Sequence, residues 1–140
     1  MIQRQQTLWL LLATLSAILS FMFPFVTGGQ IITKNTLPVV LPVDAGSNFF
    51  LLVLTGGSLI LSSVIIFLFK NRRQQIQLCL LGLLLAILIV ILYFLQMNKL
   101  IKPTLALSCI FPFAILVGYF MAFRNIRKDE KLVKSLDRLR

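Results

Sequence analysis

Few residues in this chain have side chains that could catalyse a reaction or hold a metal ion. Its 140 residues include no histidine, two cysteines and four acidic residues. Without histidine, the chain lacks the commonest general base and metal ligand of proteins. The hydroxyl groups of Ser58, Ser62 and Ser108 have no base to activate them as nucleophiles. We therefore expect no catalytic residue, no metal site, no cofactor and no enzymatic activity.

The two cysteines raise the alternative of a small membrane-bound disulfide oxidoreductase. Such an enzyme needs a closely spaced pair of thiols. Cys79 and Cys109 belong to different apolar stretches, and their expected depths in the membrane differ by roughly 15 Å. A disulfide requires Cα atoms within about 7 Å of each other. We interpret both cysteines as small apolar side chains of the interior and expect them to stay unpaired within one chain.

The elements that would position any functional residue are four apolar stretches. Hydrophobic residues make up 59% of the chain and the mean hydropathy is +0.96, which argues against a soluble domain. Each stretch approaches the ~20 residues that a helix needs to cross a bilayer. None of the four contains a charged residue. The sequence predicts an all-α, integral membrane four-helix bundle, one domain over residues 1–140, with spans at about 7–26, 49–69, 78–95 and 104–123.

Small residues recur at helical spacing in every span. This spacing lets helix backbones approach closely, which matters in lipid because no hydrophobic force drives helices together. It predicts a compact bundle. The residues concerned are Ala13, Ser16, Ala17, Ser20, Gly56, Gly57, Ser58, Ser62, Gly82, Ala86, Ala114, Gly118 and Ala122. We also expect Pro112 to bend the fourth helix.

Lysine and arginine are distributed unequally between the two sides of the membrane. Eleven fall in the N-terminus, the second connection and the C-terminal tail, whereas three fall in the first and third connections. Cytoplasmic segments carry the excess of such residues, so both termini are predicted to be cytoplasmic. The outer connection, residues 27–48, is unusually apolar, and we expect it to lie along the interface or to cap the bundle.

The tail, residues 124–140, reads as a basic amphipathic helix that continues the fourth span into the cytoplasm. On a helical wheel its apolar residues share an arc of about 140° and its basic residues an arc of about 120° opposite. We define the apolar stripe, a candidate partner-binding surface, as Ile126, Val133, Leu136 and Leu139. The candidate contacts for lipid or phosphate are Lys70, Arg72, Arg73, Arg127, Lys128, Lys131, Lys134 and Arg138.

Two functions of different classes are compatible with this pattern. The first is an accessory or scaffold subunit of a membrane assembly, whose basic face meets anionic lipid and whose stripe meets a protein partner or another copy. The alternative is a small homo-oligomeric channel, transporter or hole-forming protein, which should show a polar path through the bundle. RNA is a less favoured partner, because Trp9, Tyr93 and Phe123 lie near span ends as interfacial anchors and not as a base-stacking platform.

Three ordered motifs resemble a known family. They are residues 1–8 (MIQRQQTL), residues 66–73 with 75–79 (IFLFKNRR and QIQLC), and residues 126–133 with 137–140 (IRKDEKLV and DRLR). Together they resemble small bacterial four-span membrane proteins that are classified only as a domain of unknown function. The resemblance implies a bacterial inner-membrane protein of one domain. It supplies no activity, substrate or catalytic residue.

The charge asymmetry predicts that a C-terminal fusion stays in the cytoplasm. A reporter that folds only in the cytoplasm should be active when fused after Arg140, and one that functions only outside it should be inactive. The reverse pattern would place the tail on the outer side and contradict this orientation.

Overall fold

The computed structural model describes residues 2–30, 39–68 and 71–137. Within these residues the chain forms four long helices: α1 (Ile2–Met22), α2 (Phe49–Phe67), α3 (Arg72–Met97) and α4 (Ile110–Asp137). It also forms three strands: β1 (Val26–Gln30), β2 (Val39–Val43) and β3 (Ile101–Leu105). All four helices are long and apolar enough to cross a membrane, which confirms the predicted multi-pass bundle.

The helices form a closed ring in which neighbours in the chain are neighbours in space. Helix α1 packs against α2 and α4, and α3 packs against α2 and α4, so the first and last helices meet. Large apolar side chains cover the outside of the ring, for example Leu15, Ile60 and Leu84. In water this surface would be unfavourable, whereas in hydrocarbon it is the surface a membrane helix presents.

Helix boundaries differ from the predicted spans at three places. Helix α1 stops at Met22 and not at residue 26, because Pro24 has no N–H and disfavours helical backbone before it. Helix α3 begins six residues earlier than the apolar stretch, at Arg72. Its first residues are polar and are good helix formers, so hydropathy alone did not include them.

The fourth helix starts later than predicted, at Ile110 and not at residue 104. Residues 101–105 form β3, and a short 3₁₀ turn (Leu107–Cys109) leads into α4. Pro112 is therefore the third residue of α4. Backbone N–H groups in the first turn of a helix have no intrahelical partner, so proline removes no bond there. The expectation that Pro112 bends the interior of this helix was wrong.

A small antiparallel sheet closes one end of the bundle, which we call the sheet end. The strand order is β2-β1-β3, so the sequence prediction of an all-α chain missed this element. The β1–β3 register shifts by one residue between Thr27 and Gly29, opposite Lys102, whose φ is 52°. This shift leaves one extra residue on β3 without a partner on β1, which is a β-bulge.

The sheet caps the bundle interior, as expected for the outer connection. Phe25, Val26 and Val43 pack with Leu100 and with residues of α2 and α3 in one buried cluster. Tyr93 belongs to this cluster and stacks on Phe25 at 4.5 Å between ring centroids. Tyr93 is therefore a core residue, and its interpretation as an interfacial anchor was wrong. Residues 31–38 of the outer connection lie outside the described residues.

A second buried cluster fills the other half of the bundle. It combines residues of all four helices, among them Leu10, Ile65, Cys79 and Ile126. Cys79 lies in this cluster, and its thiol donates to the Tyr119 carbonyl oxygen at 3.4 Å. Cys109 packs against the cluster at the sheet end. The two cysteines thus lie in different parts of the interior, in keeping with the depths expected from their positions.

Tyr119 of α4 reaches across the ring to α2. Its hydroxyl donates to the Ser58 carbonyl oxygen at 2.6 Å, and both residues are buried. The aromatic ring passes over Gly82 of α3, where an added Cβ would lie 2.3 Å from a ring carbon. Gly118, next to Tyr119, is similarly close to the Trp9 carbonyl oxygen and to Ala13 of α1.

Most of the small residues lie at helix contacts, as predicted, with one exception. The small residues of α1 are all buried, as are Ala86 and Ala122. A Cβ added at Gly56 or Gly57, in contrast, would meet no atom within 4 Å. An added side chain at either glycine would enter open space, so their assignment to close helix packing was wrong.

Gly82 and Gly57 offer a matched pair of substitutions. Gly82→Ala should destabilise the bundle by about 1–3 kcal/mol, because the buried Tyr119 ring must move to admit the methyl group. Gly57→Ala should be neutral or slightly stabilising, since alanine is the better helix former and the space is open. Thermal unfolding of the purified protein in detergent would measure both. Equal effects of the two substitutions would contradict the packing described.

Candidate functional site

The end of the bundle opposite the sheet, which we call the tail end, gathers the N-terminus of α1, the start of α3 and the C-terminal half of α4. The Gln6 side-chain amide of α1 donates to the Asp129 carboxylate of α4. The Gln75 amide of α3 lies 3.5 Å from the Ile65 carbonyl oxygen, near the end of α2. The first contact joins the tail to α1, and the second joins the start of α3 to the end of α2.

Each of the three sequence motifs contributes one buried polar side chain at the tail end: Gln6, Gln75 and Asp129. Burying such groups is unfavourable unless they form hydrogen bonds, and these side chains do so. Sequence reasoning missed them as structural residues. The available signal was helical spacing: Asp129 follows Ala122 and Ile126 at intervals of three to four residues, on the buried face of α4.

Helix α4 continues without interruption from the apolar span into the tail, as the sequence predicted. It extends fourteen residues beyond Phe123, which corresponds to about 21 Å of helix. The Gln6–Asp129 contact holds this extension against α1.

The apolar stripe is divided between the interior and the surface. Ile126 is 1% exposed and belongs to the core cluster of the bundle itself, so its side chain is not available to a partner. Val133 is 39% exposed, and the neighbouring Leu132 is 50% exposed. The Leu136 side chain and Leu139 lie outside the described part of the structure. Among the described side chains of this segment, Leu132 and Val133 therefore carry the apolar surface available to a partner.

Five exposed cations form the basic face of α4: Arg124, Arg127, Lys128, Lys131 and Lys134. Together with Phe120, Phe123 and Glu130 they line a groove of ≈ 440 Å³. Arg73, at the start of α3, is also exposed at this end. Of the other predicted phosphate contacts, Lys70, Arg138 and the Arg72 side chain lie outside the described residues.

Two interactions organise the groove. The Lys134 ammonium pairs with the Glu130 carboxylate at 2.8 Å, and the charges of Arg73 and Arg127 also act on that carboxylate. The Arg127 guanidinium lies over the Phe123 ring, 4.7 Å from its centroid. A cation over an aromatic face is attracted by the ring's quadrupole, which orients Arg127 at the boundary between the span and the tail.

The basic face continues the outward side of the span. Phe113, Val117 and Phe120 are exposed on α4, and Arg124, Arg127 and Lys131 follow them along the same side. At 100° per residue these six positions share an arc of about 80°. The groove therefore joins an apolar surface to a cationic one. Such a surface suits binding of anionic groups, because arginine and lysine donate charge-assisted hydrogen bonds to phosphates and carboxylates.

A family model described as a domain of unknown function (DUF4293) matches residues 2–139. Since the match covers nearly the whole chain, the chain belongs to this family, and the predicted membership in a family classified only as a domain of unknown function is confirmed. No curated protein and no solved structure matches the chain significantly.

The Gln6–Asp129 contact predicts a specific loss of stability. Asp129→Ala should destabilise the tail end by about 1–3 kcal/mol, because it leaves the Gln6 amide buried without its acceptor. Asp129→Asn keeps an acceptor oxygen and should restore part of the stability. Glu130→Ala, which removes a neighbouring acid from the surface, serves as the control and should change little. Thermal unfolding and protease resistance of the tail would measure these effects, and a larger loss in the control would contradict the assigned role of Asp129.

Proposed function

Since the chain belongs to a family defined only as a domain of unknown function, we propose its role from the tail end. The protein is a non-enzymatic, multi-pass inner-membrane protein that serves as an accessory or scaffold subunit of a membrane assembly. Both termini, and with them the tail end, face the cytoplasm. The basic face meets anionic groups at the membrane surface, and the exposed part of the stripe meets a protein partner or another copy.

The single observation that carries this proposal is the continuity of α4. One uninterrupted helix of 28 residues joins a lipid-exposed span to a basic segment that projects beyond it. The Gln6–Asp129 contact fixes the direction of this projection relative to the bundle. A projecting helix held in this way presents a constant surface to partners, which is what a scaffold requires. The described titratable side chains of the groove are cations and one paired glutamate, a set suited to binding and not to acid–base catalysis.

The exposed apolar residues of the tail favour a protein contact. Leu132 and Val133 lie beyond the predicted span, where water would otherwise surround them. Covering such a side chain contributes roughly 1.5–3 kcal/mol when burial is complete. On a helical wheel Leu132 lies beside the basic face and Val133 lies opposite it, so one helix can meet lipid and protein at once. RNA remains the less favoured partner of the cations.

The hydroxyl groups inside the bundle support a scaffold over a channel. The side chains of Ser20, Ser58 and Ser62 donate to carbonyl oxygens of their own helices three residues earlier. The Tyr119 hydroxyl donates to a helix backbone as well. Groups bonded in this way are engaged in holding the bundle and do not line an open polar path. Among the described residues, the Thr55 hydroxyl is a buried group with no hydrogen-bond partner.

The proposal predicts that apolar contacts of the tail hold the assembly together. Leu132→Ser combined with Val133→Ser should dissociate a complex isolated in mild detergent, because it removes the exposed apolar surface, while membrane insertion remains intact. Lys131→Gln combined with Lys134→Gln, about one turn apart on the same helix, is the matched control and should dissociate it less. Mass determination of the purified complex would identify a foreign subunit or another copy.

The opposite ranking would contradict the role given to the apolar residues. A discrete homo-oligomer that conducts a solute into liposomes would support the channel and overturn the scaffold proposal.

A further inference from the structure

We propose that the groove of α4 binds one anionic phospholipid, with its phosphate between Arg124 and Arg127 and an acyl chain along Phe120, Val117 and Phe113. This inference rests on the proposed function in one respect, namely that the tail end faces the anionic cytoplasmic leaflet. It adds the class of ligand. It also names the residues whose substitution would distinguish a lipid bound at a site from a nonspecific electrostatic attraction between the basic face and the membrane surface.

The shape of the surface favours an amphiphile. The apolar half of the groove, with Phe120 52% exposed, lies on the side of the span that faces away from the other helices. Arg124, Arg127 and Lys131 follow it directly on the same side of the helix, within the arc of about 80° described above. A phospholipid has an anionic head followed by apolar chains, in the same order along the membrane normal. An acidic peptide or a soluble phosphate would use the cationic half alone.

The charge of the groove favours an anionic head. Five of its eight lining residues are cations, and the one acidic residue among them, Glu130, is paired with Lys134. The charges of Arg124, Arg127, Lys128 and Lys131 are thus left to attract an anion. The surface of the cytoplasmic leaflet is negative, and each lysine or arginine near it strengthens attachment.

Depth and side-chain chemistry together select two of these cations for direct contact. The headgroup layer on each side of a bilayer is roughly 5–8 Å thick. Arg124 and Arg127 lie about 1.5 and 6 Å beyond Phe123 along the helix, whereas Lys131 and Lys134 lie about 12 and 16 Å beyond it. With the span ending at Phe123, as the sequence predicts, the two arginines and Lys128, about 7.5 Å beyond it, fall within the headgroup layer, whereas Lys131 and Lys134 lie past it. Guanidinium groups also bind phosphate oxygens in a bidentate manner, which an ammonium does not.

Phe123 prepares Arg127 for this contact. The ring lies beneath the guanidinium at 4.7 Å from the centroid, so the charged group rests against the aromatic face. Because the side chain is already held in place, less of its conformational freedom is lost when phosphate binds.

The test compares two pairs of substitutions that remove the same charge. The full-length protein is purified in mild detergent, phosphatidylglycerol or phosphatidylcholine is added, and bound lipids are counted by native mass spectrometry. We expect one phosphatidylglycerol to bind more tightly than phosphatidylcholine. Arg124→Gln with Arg127→Gln should weaken that binding at least about tenfold, the effect of losing two surface cations. Lys131→Gln with Lys134→Gln, the matched control, should weaken it less than about threefold.

Three results would overturn the inference. Equal weakening by the two pairs would indicate a diffuse attraction without a site. Equal binding of the two lipids would show that the head charge is not recognised. Competition by soluble glycerol phosphate, or by RNA, at concentrations comparable with the lipid would assign the arginines to another ligand. Mass determination of the assembly separates this test from the test of the scaffold proposal. If no specific lipid site is found but the complex is intact, only the lipid inference is overturned.

Discussion

The hydrogen bond between the Tyr119 hydroxyl and the Ser58 carbonyl oxygen is the contact on which the arrangement of the helices depends. Helices α2 and α4 lie opposite each other in the ring, and this side chain joins them through the interior. The ring reaches α2 only because α3 has a glycine at position 82, where any larger side chain would occupy the same space. In lipid, where apolar side chains gain little by leaving the solvent, such close approaches and internal hydrogen bonds specify which helices meet. The closed ring in turn brings α1 beside α4, which is where the tail acquires its support.

Much of this fold follows from hydropathy, and the exceptions have physical causes. The four spans and the continuation of α4 into the tail were predictable because lipid requires long apolar helices, and because no glycine or proline interrupts residues 124–140. The strands were not, since an apolar connection such as residues 39–43 reads equally well as an interfacial loop. The role of Pro112 was misjudged for a related reason: its effect depends on where the helix begins, and that boundary was set by β3. Tyr93 and the pair Gly56 and Gly57 were misplaced because hydropathy gives depth but not which side of a uniformly apolar helix faces inward.

The basic face of the candidate site was predictable from the sequence, whereas the burial of Ile126 and Asp129 was not. A helical wheel places the cations of the tail on one side, and the structure places them there. The wheel also placed Ile126 with the exposed stripe, whereas the bundle extends far enough to bury it. Asp129 shows the limit of prediction from the sequence most clearly, because the pattern of an acidic residue within a basic segment predicts a surface charge. Its burial depends on Gln6, which is 123 positions away in the sequence and adjacent only once the ring closes.

The sheet end bears on how copies of this protein meet. A three-stranded sheet has two outer strands with unsatisfied backbone groups, and such edges commonly recruit a strand from a neighbouring molecule. Here each outer strand contains a proline, Pro42 in β2 and Pro103 in β3, while the central strand contains none. The proline nitrogen has no hydrogen to donate, and the bulge at Lys102 further distorts the β3 edge. Sheet extension between molecules is thereby disfavoured on both sides, so the sheet end is a poor surface for contacts between copies.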